Sequence, residues 1–374
     1  MTAPMSMQQF LDLLIADGLG ALAPSAVIVD LDLGVEEEQL DLLARLSFGA
    51  PLVIIGIADD PVELPPAAFD LLLCTRPSPP APWVSAQDLG RAVEGSTTEL
   101  RALGDIAELT GLLADVVDTS PGAAIALMQL LRSGEALSAA DAVVAESWVY
   151  SLLQTGPRYA QWLTERTRTS VRREPRDDVV ALHRVGDTLQ ITLDRPEVRN
   201  AFSARLRDEL VAALELVSLD PSIERVELRG SGRAFSSGGD IGEFGTAPDP
   251  ITAHLIRTSR SVGLGLDRHR QRITTFVHGT CVGAGVELPA FTDTVVAHPD
   301  TTFRLPEVAM GVVPGAGGTA SIPRRIGRHR AAAFALSGLL IDAPTALRWG
   351  LIDRIDPAAF DPAAFDPDME APDA

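Results

Sequence analysis

The first part of the chain contains two kinds of pattern: nearly continuous apolar runs, and a stretch in which apolar residues recur with helical spacing. Residues 26–32 and 51–57 are mostly apolar runs that predict buried strands, because strands covered on both faces show no polar alternation. Residues 36–46 between them have the spacing of an amphipathic helix, and residues 69–74 predict a third strand. This order of elements predicts an α/β region at the start of the chain.

Helical spacing dominates after a proline-rich break at residues 77–82. It continues over residues 97–166, where the proline–glycine pairs at 121–122 and 156–157 divide the stretch into separate helices. A polar segment, residues 167–178, follows and has the composition of a linker.

We therefore predict four regions along the chain. They are an α/β and helical region at 1–168, a linker at 169–178, a second domain at 179–357, and a tail at 358–374. The tail is rich in Asp, Pro and Ala, which is typical of disorder. The first region contains no catalytic constellation, so the candidate chemistry lies in the second domain.

Two glutamates stand among apolar residues and glycine-rich turns in the block formed by residues 277–318. Glu287 and Glu307 are twenty positions apart. Burial of an unpaired carboxylate is unfavourable, so two of them in apolar surroundings need either partners or a chemical task. Two such groups can hold different protonation states, which allows one to act as a base and the other as an acid.

Two glycine turns accompany these glutamates. Residues 282–288 read VGAGVEL, and residues 233–241 read RAFSSGGDI with Asp240 placed as a helix cap. Each turn can aim one backbone N–H at a single carbonyl oxygen and so contribute to an oxyanion hole. One such turn alone is more often a plain tight turn, but both turns together with the glutamates indicate acyl chemistry.

Composition narrows the classes of function. The chain has 374 residues, a formal net charge of −20 and no lysine, which argues against nucleic-acid binding because that function needs a basic face. No apolar run approaches the ~20 residues that span a membrane, and the N-terminus lacks the pattern of a signal peptide. The two cysteines form neither a disulfide framework nor a metal-ligand cluster. These features predict a cytoplasmic enzyme.

Five segments of the second domain resemble the enoyl-CoA hydratase/isomerase, or crotonase, superfamily, and they occur in the family's order. The segments read LDRPEVRNAF, AFSSGGDI, HGTCVGAGVEL, FRLPEVAMGVVPGAGGTASIPRRIG and ALSGLLIDAPTALRWGLIDRI. The similarity extends over about residues 179–357, nearly half of the chain. It implies an α/β fold with a crotonase-like spiral core of repeated strand–strand–helix units, preceded here by the α/β and helical region.

The resemblance also implies a site. The backbone N–H groups of Ser237 and Ala284 would form the oxyanion hole for a thioester carbonyl, while Glu287 and Glu307 would orient water and move the proton at Cα. CoA is implied as part of the substrate, with no separate cofactor and no metal. The residues implied to contact the substrate or its CoA are Arg199, Asn200, Ala201, Phe202, Gly238, Gly239, Asp240, Gly283 and Gly315.

Retention of both glutamates favours addition or removal of water at an α,β-unsaturated CoA thioester. Other reactions of the superfamily remain alternatives: enoyl-CoA isomerisation, C–C or thioester hydrolysis, and cofactor-free dioxygenation of aryl-CoA. A third alternative is a non-catalytic subunit that binds acyl-CoA or acts as a scaffold.

Departures from the family pattern surround the first of these glutamates. His278 replaces the usual asparagine and is interpreted as a structural histidine beneath the site, and Cys281 as a small packing residue. Pro289 follows Glu287 closely, which is tolerable only in the first turn of a helix. Without lysine, CoA phosphates would have to meet arginines, although a codon bias explains the lack of lysine more simply. The candidates are Arg199, Arg324, Arg325, Arg328 and Arg330.

The first region has two interpretations. Family members carry helices after the closing strand that cover the active site and build a trimer, and residues 146–166 here resemble the end of such a region. The first region is therefore either a degenerate crotonase-like copy whose helices cover the second domain, or an independent accessory domain. Its apolar helices need a partner surface, so we expect them to pack on the second domain, either within the subunit or from a neighbour in a homo-oligomer built from trimers, a trimer or a hexamer.

Overall fold

The structure of the protein is a computed structural model that describes residues 3–22, 25–92, 100–166 and 178–360. The helices are α1 Met7–Leu22, α2 Glu37–Ser47, α3 Ile106–Thr119, α4 Pro121–Gly134, α5 Ala139–Leu153, α6 Pro157–Glu165, α7 Ala204–Leu219, α8 Pro250–Ser259, α9 Val262–His269, α10 Ala284–Glu287, α11 Gly318–Ile326, α12 Arg328–Ser337 and α13 Ala343–Trp349. The strands are β1 Ser25–Asp30, β2 Leu52–Ala58, β3 Leu71–Cys74, β4 Val84–Ser85, β5 Gly90–Ala92, β6 Leu100–Ala102, β7 Val180–Val185, β8 Thr188–Leu193, β9 Arg225–Gly230, β10 Ile273–Val277, β11 Thr280–Val282, β12 Thr294–Ala297, β13 Thr302–Arg304, β14 Leu340–Asp342 and β15 Arg354–Ile355.

The first half begins with a parallel sheet in the order β1–β2–β3–β4. The three strands and the helix predicted from the apolar pattern correspond to β1, β2, β3 and α2, and these predictions are confirmed. The sequence pattern gave no indication of α1 or of the short strands β4 to β6. Strand β6 lies inside the stretch predicted as helical, so that prediction holds only from Ile106 onward.

The second half divides its strands between two sheets. One sheet has the order β15–β12–β10–β9–β8–β7 and is parallel except for the β7–β8 hairpin, and the other has the order β11–β13–β14–β5–β6. Between Ile273 and Arg304 the chain passes from the first sheet to the second twice, through β10 and β11 and then through β12 and β13. This repeated strand–strand–helix path is the predicted crotonase-like spiral, and the fold prediction is confirmed.

The first half is built into the second half at two places. Strand β5 pairs antiparallel with β14, which adds two first-half strands to a second-half sheet. Helix α5 packs against α8 and α11, while α4 packs against α11 and α12. A single apolar core contains Leu127 and Leu131 of α4 together with Phe334 of α12. The helices after residue 106 thus cover the second half of the same chain.

A buried ion pair fastens the parallel sheet to these helices. The Arg132 guanidinium on α4 donates to both carboxylate oxygens of Asp70 at 2.8 and 2.6 Å. The same guanidinium donates to the carbonyl oxygens of Ser47, Ala50 and Leu52. Because every donor has an acceptor, this buried charge is accommodated, and the loss of either partner would leave the other charge buried and uncompensated.

The end of the described chain differs from the prediction. Residues 357–359 form a short 3-10 turn, and Phe360 is buried against Phe276 and Val296. The predicted disorder is therefore wrong for residues 358–360, because an aromatic side chain anchors them to the sheet. The rest of the predicted tail, 361–374, and the predicted linker up to residue 177 lie outside the described residues.

In the described ranges, no helix by itself has both the length and the apolar composition needed to cross a bilayer. The consecutive helices α3 and α4 meet that test only when they are counted together, across a bend of 109°.

Candidate active site

A cavity of about 350 Å³ lies between the glycine turns of the second half and helix α5 of the first half. Both predicted glutamates reach it, as do residues from each of the two predicted turns. The residues of its wall include Tyr150, Phe202, Arg207, Gly239, Asp240, Arg257, Ala284, Glu287, Glu307 and Gly315.

Glu287 is the last residue of the four-residue helix α10, which opens at Gly283 with a positive φ of 50°. Its side chain is buried, and its Oε2 accepts hydrogen bonds from the backbone N–H groups of Ala316 (2.7 Å) and Gly318 (2.8 Å). Its Oε1 has no donor among the described residues. Gly318 is required here because a Cβ at that position would lie 2.6 Å from Cγ of Glu287.

Glu307 follows strand β13 and opens a short 3-10 turn. Its side chain is buried, and its Oε2 has no hydrogen-bond partner among the described residues. Its Oε1 faces Gly283, where an added Cβ would lie only 2.4 Å away. The glycine turn that opens α10 therefore makes the space in which the second carboxyl sits.

The two carboxyl groups have different electrostatic surroundings. Burial raises the pKa of Glu287 to about 7, and the N–H groups of Ala316 and Gly318 oppose that rise because they stabilise the charged form. Burial raises the pKa of Glu307 well above its ordinary value, and the nearby charge of Glu287 raises it further. The surroundings thus favour a proton on Glu307 while Glu287 can ionise near neutral pH.

A third buried glutamate, Glu146 of α5, reaches the same region from the first half. Its carboxylate accepts from the backbone N–H groups of Gly317 (2.7 Å) and Thr319 (2.8 Å) and from the Thr319 hydroxyl (2.7 Å). Burial, followed by the charge of Glu287, raises the pKa of Glu146 to about 8. This role of Glu146 was not predicted from the sequence, although a glutamate on the apolar face of a helix is a signal that could have indicated it.

The glycine-rich loop at residues 314–319 joins the two halves through its backbone. Successive N–H groups alternate between acceptors: those of Ala316 and Gly318 bind Glu287, and those of Gly317 and Thr319 bind Glu146. Four consecutive amide donors therefore hold two carboxylates, one from each half of the chain. These donors are close to the start of α11, where unpaired N–H groups favour negative charge.

The predicted oxyanion hole needs one correction. The Ser237 N–H donates to the carbonyl oxygen of Arg199 at 2.8 Å, so it is not available to a substrate, and its prediction as a donor is wrong. Gly239, two residues later, lines the cavity together with Ala284. The N–H groups of Gly239 and Ala284 have no acceptor among the described residues, which leaves both of them free to bind a ligand oxygen.

The other predicted contact residues fall into two groups. Phe202, Gly239, Asp240 and Gly315 line the cavity, whereas Arg199, Asn200, Ala201, Gly238 and Gly283 do not. Asn200 is a clear correction because its buried side chain accepts from the Arg195 N–H and donates to the carbonyl oxygens of Ser231 and Ala234. It shapes the turn beside the site and has no donor left for CoA.

The two glycines outside the lining bring the two turns together. Gly238 has a φ of 87°, and a Cβ there would lie 2.8 Å from the carbonyl oxygen of Val282. Arg199 is exposed with a left-handed backbone, and Ala201 is buried with its carbonyl oxygen accepting from Arg195. These residues therefore support the site from behind or lie at its edge.

The residues that depart from the family pattern make contacts that support the fold. His278 is buried and bonds the carbonyl oxygen of Gly232 at 2.8 Å, and burial lowers its pKa. Cys281 is fully buried, and burial raises the pKa of its thiol, which fits a packing residue. Pro289 opens a new 3-10 turn directly after α10, where a proline is tolerated.

Four of the five arginines considered for CoA phosphates are engaged elsewhere. Arg324 and Arg325 donate to backbone carbonyl oxygens, and Arg325 also pairs with Asp353 at 2.6 Å. Arg328 and Arg330 are buried, where Arg328 pairs with Glu135 and Arg330 donates to the carbonyl oxygen of Pro79. Arg328 and Arg330 are buried, so the hypothesis is wrong for these two. Arg199 and Arg324 are exposed, and for them and for Arg325 the hypothesis stays a prediction.

Tyr150 and Arg257 are among the cavity residues that were not predicted from the sequence. Tyr150 of α5 lies against Gly315, where a Cβ would be 2.3 Å from the tyrosine ring. The Arg257 guanidinium of α8 lies 4.8 Å from the centre of that ring. In the described part of the chain, no group of His, Cys, Asp and Glu side chains is arranged to hold a metal ion.

Comparison with known proteins identifies the second half. The family model for enoyl-CoA hydratase/isomerase matches residues 185–360. The 2,3-dehydroadipyl-CoA hydratase of Escherichia coli (strain K12) is 36% identical over 46% of this chain and 66% of that protein. A probable enoyl-CoA hydratase of Mycobacterium tuberculosis is 35% identical over 45% of this chain and 65% of that protein.

A solved structure, an enoyl-CoA hydratase/isomerase from Marinobacter aquaeolei, is 31% identical with a TM-score of 0.45 over 48% of this chain and 71% of that chain. The chain spans slightly less than two thirds of the length of the two curated relatives. The family match and these relatives show that residues 185–360 belong to the enoyl-CoA hydratase/isomerase family, the crotonase superfamily.

Proposed function

We propose that the protein adds water to, or removes it from, an α,β-unsaturated acyl-CoA thioester. The observation that carries this proposal is the pair Glu287 and Glu307, two buried carboxyl groups on one cavity with unequal tendencies to ionise. Unequal carboxyl groups beside free backbone donors are what a reaction with one base and one acid needs.

The thioester carbonyl would accept from the N–H groups of Gly239 and Ala284. Both groups border the cavity and have no acceptor among the described residues, and both are fixed by their glycine turns. Fixed donors stabilise the negative charge that develops on the carbonyl oxygen when an enolate forms, and the loss of one such donor typically raises the barrier by about 2.7–4 kcal/mol.

Glu287 would act as the base toward water. Its Oε2 is held by two backbone N–H groups, and its Oε1 is free to accept a proton from water. Glu307 would act as the acid that delivers a proton to Cα, because its burial favours the protonated form. In the dehydration direction the two groups exchange these roles.

The names of the relatives agree with this reaction class. The two curated relatives described above are named as a dehydroadipyl-CoA hydratase and a probable enoyl-CoA hydratase. By this proposal the enzyme needs no cofactor beyond the CoA of its substrate, and it acts in the cytoplasm. The homo-oligomer built from trimers stays a prediction, as does the division of the chain into domains.

Turnover of short and long 2-enoyl-CoA thioesters, followed by mass spectrometry, tests the proposal. We expect the full chain to form the 3-hydroxyacyl product, and Glu287→Gln and Glu307→Gln each to lower kcat about 10²–10⁴-fold while affinity for the thioester is retained. Glu215→Gln, which changes an exposed glutamate on α7, is the matched control.

Three outcomes would change the proposal. Unchanged turnover in both variants would remove the acid–base mechanism. Loss of activity only in Glu307→Gln, with movement of the double bond in place of hydration, would indicate an isomerase. Thioester binding without any turnover by the unmodified chain would favour a non-catalytic subunit.

A further inference from the structure

Arg257 places a largely buried cation on the wall of the active-site cavity. Its side chain extends from α8, and its Nε donates to the Ser147 hydroxyl at 3.1 Å. Its Nη2 donates to the Ser147 carbonyl oxygen at 3.2 Å and to the Ser151 hydroxyl. These neutral groups of α5 fix the guanidinium in one orientation, with the Tyr150 ring on one side.

No carboxylate of the described residues forms an ion pair with Arg257, and its Nη1 has no acceptor among them. The neighbouring cavity arginine, Arg207, provides a contrast because it pairs with Asp208 at 2.9 Å. Glu146 attracts Arg257 only from beyond ion-pair distance. A buried guanidinium without a negative partner is unfavourable, and burial accordingly lowers its pKa.

Arg257 is connected through its neighbours to the loop that holds the catalytic candidate Glu287. Tyr150, which it contacts, lies against Gly315 in the loop whose N–H groups hold Glu287. A side cavity of about 50 Å³ continues past Arg257, and its wall combines the apolar residues Val143, Val262 and Leu288 with Glu146 and the arginines Arg207 and Arg260. That volume fits only a few atoms, so it can receive the end of a short acyl chain but not the bulky nucleotide of CoA.

We propose that Arg257 binds a carboxylate at the far end of the acyl group, so that the preferred substrates are CoA monothioesters of dicarboxylic acids. Arginine suits this task because its planar donors match the two oxygens of a carboxylate. The inference rests on the proposed function for the orientation of the thioester. The same chemistry could also serve a CoA phosphate, and the experiment separates the two.

Equilibrium binding to the full chain tests the proposal without requiring turnover. The probes are adipyl-CoA and hexanoyl-CoA, two saturated thioesters that differ only in the terminal carboxylate. We expect the unmodified chain to bind adipyl-CoA about 10- to 100-fold more tightly than hexanoyl-CoA, since a hydrogen-bonded charge pair contributes this much. In Arg257→Met the ratio should fall to about one, through loss of adipyl-CoA affinity alone.

Arg257→Lys keeps the charge but loses the planar donor geometry, so it should retain part of the preference. Arg268→Met removes an exposed arginine from α9 and should leave the ratio unchanged. The ratio of two affinities measured on one preparation does not depend on the fraction of protein that is folded, which protects the test against a loss of stability in Arg257→Met.

Equal affinity of the unmodified chain for both probes would overturn the proposal. An equal loss of both affinities in Arg257→Met would also overturn it, because the arginine would then serve CoA or the fold. Failure of the proposed function has a different signature: the binding ratio would hold while 2-enoyl-CoA thioesters remained unhydrated.

Discussion

The two halves of the chain contribute to one cavity by different structural means. The second half supplies its groups from glycine turns, which expose the N–H groups of Gly239 and Ala284 and leave room for Glu307. The first half supplies Tyr150 to the cavity wall and Glu146 to the loop behind it, both from helix α5. A turn of this kind leaves a recognisable motif in the sequence, whereas a helix face leaves only an apolar pattern with an unexpected polar residue.

The halves depend on each other at the loop formed by residues 314–319. Without Glu146, two buried N–H groups of that loop would lose their acceptor, and those groups neighbour the two that hold Glu287. Unsatisfied buried donors are unfavourable, so the geometry around a second-half carboxylate rests in part on a first-half residue.

Removal of the first half should have the largest effect. We expect a shortened chain that begins at Asp178 to be aggregated and inactive, because α4 and α5 cover α11 and α12 with side chains such as Leu127 and Leu131. Each large side chain of this kind stabilises by roughly 1.5–3 kcal/mol when buried. Size-exclusion chromatography and turnover of 2-enoyl-CoA measure the result.

A monodisperse and fully active shortened chain would contradict this dependence and would make the first half an independent module. Co-expression of residues 1–166 as a separate chain is the complementary experiment. Recovery of soluble, active protein would then show that the contacts, and not the covalent connection, are required.

The contribution of the second half, which is the placement of Glu307 by a glycine turn, can be tested at Gly283. An alanine there would place a Cβ 2.4 Å from Oε1 of Glu307, so the carboxyl must move, and a displacement of that size can lower kcat about 100-fold. Gly186 is a matched control because it also has a positive φ, 62°, but nothing lies within 4 Å of an added Cβ. Gly186→Ala loses about 1 kcal/mol through backbone strain. Gly283→Ala loses about 1–3 kcal/mol, because its ψ of −118° lies outside the left-handed helical region.

The difference in kcat between the two glycine variants, measured on folded protein, reports the effect of displacing Glu307. Gly186→Ala should keep nearly full turnover with a small decrease in melting temperature. If Gly283→Ala behaves in the same way, the close approach of Glu307 has no importance for the reaction.

The parts of the site that the sequence predicted are those that depend on local backbone geometry. Glu287, Glu307 and Ala284 lie beside turns whose glycines are visible in the sequence, and the structure brings all three to one cavity. The error at Ser237 arose two residues from a group that does face the cavity. Which N–H of a turn is free depends on a distant carbonyl, that of Arg199, and no local pattern contains that information.

The parts that escaped prediction depend on contacts between residues far apart in the chain. Glu146 is more than 170 positions from the amides it accepts from, and Arg257 is about 110 positions from Ser147. In the same way, the apolar pattern predicted β1 to β3, but β5 and β6 form strands only because β14 offers an edge to pair with. Short strands of this kind have little intrinsic preference for their conformation.

The smallest effect is expected at Glu146, where a substitution tests directly what the first half contributes to the site. Glu146→Gln keeps the size of the side chain but leaves one of the N–H groups of Gly317 and Thr319 without an acceptor, which destabilises by about 1–3 kcal/mol. Because the loop also holds Glu287, kcat should fall about tenfold with little change in thioester affinity. Glu215→Gln, on the exposed side of α7, should change neither quantity.

The pH dependence of stability distinguishes a charged Glu146 from a passive spacer. Burial raises the folded-state pKa of Glu146 to about 8, above the ordinary value of about 4.3 in the unfolded chain. The folded state therefore binds more protons between these two values, and the contribution of this group to the free energy of unfolding decreases as the pH rises. The free energy of unfolding of the unmodified chain minus that of Glu146→Gln, measured by urea denaturation, should be more positive at about pH 5 than at about pH 9. A difference that is constant or grows with pH would mean that the loop amides already hold the group ionised below neutral pH, and that burial in the first half does not control its charge.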